Sequence, residues 1–416
     1  MIPSVPEGSF IDLYMKAQQD KETATLYDFW AAIYLIGACC GRDVIVDRPA
    51  SPVYLNWYIV FASESGKTRK STAIREVQRC LNGLGHNNDY GLIISAKTPP
   101  ETLEKSLAKR TREVGDARCN IISSEMVTIL GREGYMAGMP GLLTDLYDCA
   151  DRRLPNRDRE GELTHANVFT TLLTASTPSW LVTAINPQVV EGGFASRVIF
   201  VCASQRKRAI AWGGVSTEKV GSDRIIESLD IAGRNAREVG KITANERGLR
   251  RFTQWYNTRP SSFDPFESSF ESREDDHVLR LAACLAINDG SFELQDGHIR
   301  SSCRAITDIK ANAIKLFGRG TSSSSRFGDG IDGVRRNLVK AGHDGIQHSK
   351  LYNNVRRNID TKEFKVLIEV MKECGYIDVF EVGSGTKKKK IYRATRAIES
   401  LDVTSNVLGK ISPHQS

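Results

Sequence analysis

The 416 residues, 40% hydrophobic and 26% charged, have ordinary globular proportions and accommodate two or three domains, one with a full α/β core. A net charge of +7 permits a nucleic-acid partner without arguing for one. Nine dispersed cysteines, with no C-x-x-C pair and no Cys/His cluster, argue against zinc and read as reduced thiols of a cytoplasmic protein.

Met1 to Glu7 lacks the basic-then-apolar pattern of a secretion signal. Residues 8–45 read as helical, and their apolar run Phe29–Cys40 is too short to span a bilayer, so no membrane partner is expected. Arg42–Asp47 and Tyr54–Ala62 read as strands. Strand-like Gly91–Ser95, a charged amphipathic helix Pro99–Arg112, and strands Cys119–Met126, Val168–Ala175 and Val198–Ala203 follow. Strands alternating with helical periods predict helices packed on a mostly parallel sheet. Residues 217–318 lose strand character. A Gly/Ser patch, Gly318–Gly330, reads as a linker, and a compact segment runs from there to about residue 396. The expected organisation is an N-terminal helical region (1–50), a core (51–216), a helical lid (217–318), a linker (319–330), a C-terminal module (331–396) and a flexible tail (397–416).

The richest stretch is Tyr58-Ile-Val-Phe-Ala-Ser-Glu-Ser-Gly-Lys-Thr-Arg-Lys-Ser-Thr72. An apolar strand stops at small polar residues, then come Gly66 and two lysines, each followed by a hydroxyl residue. Helical sequence begins at once. Backbone N–H groups at a helix start point at an anion, a lysine adds charge on the β/γ-phosphates, and a hydroxyl can ligate Mg²⁺. Ser63, Ser65, Gly66, Lys67, Thr68, Lys70, Ser71 and Thr72 are therefore the candidate nucleotide-binding residues. Two registers are open. Gly66-Lys67-Thr68 fits G-x-x-x-x-G-K-[ST] except that Phe61 stands at the first glycine. Lys70-Ser71-Thr72 needs a loop one residue longer.

An acid is expected at the end of a neighbouring strand, and Asn120-Ile-Ile-Ser-Ser-Glu-Met126 supplies Glu125 to polarise an attacking water. Ser124 stands where a metal-binding Asp is usual, so Ser71, Ser124 and Glu125 are the candidate Mg²⁺ ligands. Thr170–Pro178 ends a strand in hydroxyls, with Thr174 and Ser176 as candidate γ-phosphate sensors. Glu191-Gly-Gly-Phe-Ala-Ser-Arg197 presents Arg197 just before an apolar strand, where it can serve as a finger on a neighbouring subunit's phosphate or simply as a salt bridge.

These four segments, taken in order, resemble the primase-helicase-like ATPases of phages, plasmids and other mobile elements, over residues 10–290. The resemblance implies an α/β P-loop NTPase core of AAA+/RecA-like type with helical flanks. It also implies ATP and Mg²⁺ as ligands, and assembly into a ring, expected as a hexamer, on single- or double-stranded DNA. It favours Lys70 over Lys67, makes Glu125 the catalytic acid and Arg197 the trans finger. Ser-Arg-Val at 196–198 is similar to the finger motif of minichromosome-maintenance helicases. By the same likeness, Val278–Ala286 would give Arg280 a phosphate-facing role. The implied function is a replicative helicase or helicase loader, with any priming or synthesis left to a separate primase or polymerase. The alternatives are an ATP-dependent DNA-binding regulator or a degenerate NTPase used for assembly.

Two basic segments are candidates for DNA. Asp148–Glu162 alternates four arginines, among them Arg152, Arg153 and Arg157, with five acids. That pattern suits a loop in a ring channel and equally a solvated hairpin with internal ion pairs. The C-terminal module reads as a winged helix: a first helix Ile331–Ala341, a short strand and second helix within Ile346–Arg357, a third helix Thr361–Cys374, then a hairpin whose tip carries Lys387, Lys388, Lys389 and Lys390. Four adjacent charges suit phosphate contacts without sequence choice.

Overall fold

The computed structural model describes residues 2–49, 51–85, 90–95, 97–131, 138–155, 162–185, 193–211, 221–259, 265–321, 326–356, 361–373, 375–382 and 389–395. They form two compact units that divide between Ala313 and Ile314.

The first unit opens with helices Phe10–Ala17 and Thr25–Cys40, then strands β1 (Ile45–Val46), β2 (Val53–Tyr54) and β3 (Tyr58–Ala62). Helix Lys70–Gly83 leads to β4 (Leu92–Ile94), and helix Pro100–Val114 to β5 (Ala117–Ser123). After helices Met126–Leu130 and Met139–Tyr147 come the pair β6 (Arg152–Pro155) and β7 (Glu162–His165), then β8 (Val168–Ser176), helix Pro178–Ala184 and β9 (Val198–Cys202). Strands β10 (Lys241–Ala244) and β11 (Glu293–Leu294) lie among the helices Ser222–Val239, Glu246–Thr258, Pro265–Asn288 and Asp296–Thr321.

The main sheet has the order β4-β5-β8-β3-β9, parallel throughout. All five residues of β3 are buried, as a central strand covered on both faces requires. Helix Thr25–Cys40 is nearly all buried and, apart from Asp28, which pairs with Lys207 at 2.7 Å, overwhelmingly apolar, because it lies inside the core against one face of the sheet. Gly37 permits that fit: a Cβ there would stand 2.2 Å from the Leu55 carbonyl oxygen. Helix Lys70–Gly83 shares this face, adding Ala73, Ile74 and Val77 to the same core as Phe61, Leu173 and Val201. On the other face Tyr58 donates its hydroxyl to Leu143 O at 2.8 Å, which anchors helix Met139–Tyr147.

Three expectations change. The boundaries at 50 and 216 do not separate compact units, since the overwhelmingly apolar helix Thr25–Cys40 must be buried by the sheet and by helix Ser222–Val239. Residues 217–318 are not wholly helical: β10 and β11 join β1 and β2 in a second sheet of order β11-β10-β1-β2. Strands of two to four residues are too short to show a period of two. Finally, within the linker expected at 319–330 the described residues are helical, to Thr321 and again from Arg326. Apolar residues at 327, 331, 334 and 338 hold helical spacing through Gly328 and Gly330.

The second unit has helix Arg326–Ala341, β12 (Ile346–Gln347), helices His348–Val355 and Thr361–Glu373, then β13 (Ile377–Val382) and β14 (Lys389–Ala394). Its sheet is antiparallel in the order β12-β14-β13. Val334, Leu338, Leu351, Phe364, Leu367 and Met371 form its core. The expected tail at 397–416 lies outside the described residues.

Candidate functional site

Register brings the carboxyl ends of three strands within two residues of one another, since Ala62 pairs with Ser176 and Ser123 with Thr174. The residues just beyond, Ser63 onward, Ser124-Glu125 and Thr177, therefore gather at one edge, where open α/β sheets bind ligands.

The loop after β3 decides between the two lysines. Phe61 is a strand residue paired with Ala175 and Val201, and it stacks on Tyr27 at 4.5 Å. A loop beginning at Phe61 is impossible because the strand runs on through Ala62. The turn instead starts at Ser63 and uses Gly66 at φ 76°. Lys67 is exposed and does not border the cleft, while Thr68 borders it with its hydroxyl engaged by Ser63 Oγ and Tyr27. Lys70 opens the helix and curls back over the loop. Its ammonium donates to Ser63 O, to Ser63 Oγ at 2.9 Å and to Glu64 O at 3.3 Å. Burial pulls its pKa below the usual lysine value, partly offset by Glu64.

Arg69 caps this helix in the left-handed region, φ 56°, ψ 39°, a conformation costly for a side chain. It places no side-chain cap on the helix, and the first turn carries no acid. The start of a helix carries unsatisfied N–H groups and a positive dipole end. Here they open into a cleft of about 460 Å³ bordered by Ser65, Gly66, Lys70, Ser71, Thr72, Ser124, Glu125 and Ser176.

On the facing side, Ser123 Oγ bonds Thr128 Oγ1 at 2.6 Å and Glu125 O at 3.1 Å, which fixes the turn after β5. Glu125 occupies the cap position of helix Met126–Leu130, yet its carboxylate makes no cap bond and is exposed toward the cleft. Ser176 borders the cleft. Thr174 does not: it is fully buried in β8 and its hydroxyl has no partner. That removes it as a sensor, because it stands two residues short of the strand's end.

The cleft also holds residues not anticipated. Arg69, Arg75, Thr177 and Trp180 border it. Arg75 follows Ser71 by four residues on the same helix, a spacing that puts both on one face. Arg69's backbone conformation left no mark in the sequence.

Arg197 and Arg280 sit at the other end of the sheet. Val198 pairs with Tyr58, so Arg197 lies about 13 Å, four strand residues, from the loop end of β3. It is buried. Its guanidinium donates to Asp148 Oδ2 at 2.8 Å and Gly193 O at 2.9 Å, over the Tyr147 ring. Arg280 donates to Tyr54 O at 2.6 Å and to the Tyr147 hydroxyl, between the rings of Trp57 and Tyr147. Arg280 therefore does not border this cleft, contrary to the phosphate-facing place expected for it, since helix Pro265–Asn288 packs at the sheet's amino edge. Beside it His277 bonds Ser196 O at 3.0 Å, and burial together with Arg280 pushes its pKa down to about 3.

Among the DNA candidates, Arg152 pairs with Asp145 at 2.8 Å and approaches Glu104 at 3.9 Å, so its partners lie on two neighbouring helices rather than within the hairpin. Arg153 is exposed, and Arg157 lies outside the described residues, as do Lys387 and Lys388. Lys389 and Lys390 are exposed in β14, with Lys390 directly across from Glu381. Among the described residues no helix is long and apolar enough to cross a membrane, the cysteines are free thiols, and no group of three or more His, Cys, Asp or Glu could hold a metal. Ser71, Ser124 and Glu125, the expected Mg²⁺ ligands, all border the cleft and are oxygen donors of the kind a divalent ion takes.

A parallel α/β sheet with a strand–loop–helix anion site at its carboxyl edge fits a P-loop NTPase fold. No protein-family model and no curated protein matches the chain. Among solved structures it is similar to the active helicase Cch of SCCmec type IV, at 11% identity and a TM-score of 0.34, over 96% of this chain and 75% of that one. It is also similar to the Aeropyrum pernix ORC2 protein, at 12% identity and a TM-score of 0.25, over 99% and 97%.

Proposed function

We propose that this chain is an ATP-driven DNA motor of AAA+ type, a ring-forming replicative helicase or helicase loader of a mobile element acting in the cytoplasm. One observation carries the reading: Lys70, Ser71, Glu125 and Ser176 converge on a single cleft at the carboxyl edge of the sheet. ATP would bind with its phosphates on the helix start and Lys70, and Mg²⁺ would be required for its hydrolysis. Glu125 would hold the attacking water, and Ser176 would sense the γ-phosphate.

Arg197 cannot reach its own cleft from the amino edge of the sheet. In a ring, expected as a hexamer, it would serve the neighbouring subunit after exchanging Asp148 for phosphate. The C-terminal unit, read as a winged helix, would meet DNA phosphates through its lysine-bearing hairpin, and a separate primase or polymerase would work beside the ring.

A second reading, an ATP-dependent regulator or an NTPase fold kept for assembly, is favoured by Ser124 at the usual acid position and by the buried pairing of Arg197. Steady-state hydrolysis with and without single- and double-stranded DNA separates them. A motor shows DNA-stimulated hydrolysis that Lys70→Ala and Glu125→Gln abolish, followed by strand displacement. No hydrolysis at any DNA concentration sinks it.

A further inference from the structure

The charged residues bordering the cleft are Arg69, Lys70, Arg75 and Glu125. Three cations face one carboxylate, and a serine stands where a second metal-binding acid is usual. Mg²⁺ is ordinarily held by one or two carboxylates plus the phosphates, so this cleft is better furnished for the anion than for the ion.

The two arginines are free to act. Arg75 is exposed, its guanidinium donates only to Thr72 Oγ1 at 3.4 Å, and among the described residues no carboxylate pairs with it. Arg69 is held at 2.7 Å by Glu22. Glu22 also accepts from Arg206 and from the Ile210 N–H at 3.1 Å, so its charge stays compensated when Arg69 swings to another anion. Arg69 precedes Lys70 at the uncapped helix start, and Arg75 borders the same cleft from the second turn, on the face of Ser71.

We propose that Arg75, assisted by Arg69, binds phosphate in cis, so that this cleft holds a nucleoside triphosphate without a divalent ion. The inference rests on the nucleotide reading above. The ion is then needed for hydrolysis rather than for binding. Charge-assisted hydrogen bonds of this kind contribute enough for about a tenfold change in affinity each.

The test is an equilibrium titration of the full chain with N-methylanthraniloyl-ATP in Mg²⁺ and in EDTA, with thermal melts to verify folding. Wild type is expected to bind in EDTA within about tenfold of its affinity in Mg²⁺. Arg75→Ala is expected to lose about tenfold in EDTA, and Arg75→Lys to recover part of that loss. Tight binding in Mg²⁺ that falls by more than about tenfold in EDTA overturns the proposal and leaves the nucleotide reading standing. So does an Arg75→Ala protein that matches wild type in EDTA. Absence of binding in both buffers overturns the nucleotide reading itself.

Discussion

The two edges of the main sheet carry similar side chains to opposite ends. At the amino edge Arg197, Arg280, His277 and Asp148 are packed among Trp57, Tyr58 and Tyr147, and the arginines spend their donors on carbonyls, a hydroxyl and a carboxylate. At the carboxyl edge Lys70, Arg75 and Glu125 border open space, beside a helix start with no side-chain cap. Burial with a compensated charge makes an arginine a structural strut, because an unpaired buried charge is costly. Exposure beside unsatisfied N–H groups makes the same chemistry available to a ligand. Residue type alone does not distinguish them.

The contrast yields graded predictions. Glu125→Gln removes the water-polarising carboxylate without touching the helix start. Hydrolysis should fall by about 10²–10³-fold while nucleotide affinity changes little. A parallel loss of affinity would mean that Glu125 shapes the cleft. Arg280→Ala should do the reverse. It strands Tyr54 O and the Tyr147 hydroxyl in the core, so denaturant melts should show a loss of about 3 kcal/mol with nucleotide affinity unchanged. A change in affinity without a stability loss would restore Arg280 to the site.

His277 gives the amino edge a pH signature. Its pKa is about 3 in the folded chain and about 6.5 when unfolded. The unfolded chain therefore binds the extra proton, and stability contributed by the neutral ring is lost as pH falls from about 6.5 toward about 3. The slope is at most about 1.4 kcal/mol per pH unit. His277→Gln should flatten that part of the profile in melts between pH 7 and 4, and an unchanged slope would mean the ring is not sealed. Asp148→Asn is the gentlest probe, because Asp148 is 44% exposed. It should cost under about 1 kcal/mol of stability while hydrolysis by the assembled protein is kept. Arg197→Ala should abolish that hydrolysis if the finger acts in trans, measured in mixtures with wild type.

Much of the sheet was legible because its strands are long apolar runs bounded by turn residues: β8 and β9 fall within one residue of where the apolar runs put them, whereas β3 begins four residues later than expected and β5 ends three residues earlier. The short strands β1, β2, β10 and β11 were not assigned to their own sheet, since pairing between distant two-residue segments leaves no local pattern. Of the site, Glu125 and Ser176 were readable from their place at strand ends. Lys70 was favoured over the more conventional string at 66–68 only through a resemblance, and the physical reason is the continuation of β3 through Phe61. Arg280 misled because an arginine on an amphipathic helix looks the same whether it faces a phosphate or two aromatic rings. Thr174 and Ser176 share a face of β8, and only the strand's length tells which one reaches the edge.

The central claim is that the helix start at Lys70 is the phosphate site. The most direct measurement is the ATP dissociation constant of Lys70→Ala beside Lys67→Ala, with Trp180 fluorescence as a second readout from within the cleft. Lys70→Ala should weaken binding by about 100-fold or more, and Lys67→Ala by less than about threefold. Equal losses, or a larger loss at Lys67, would contradict the account.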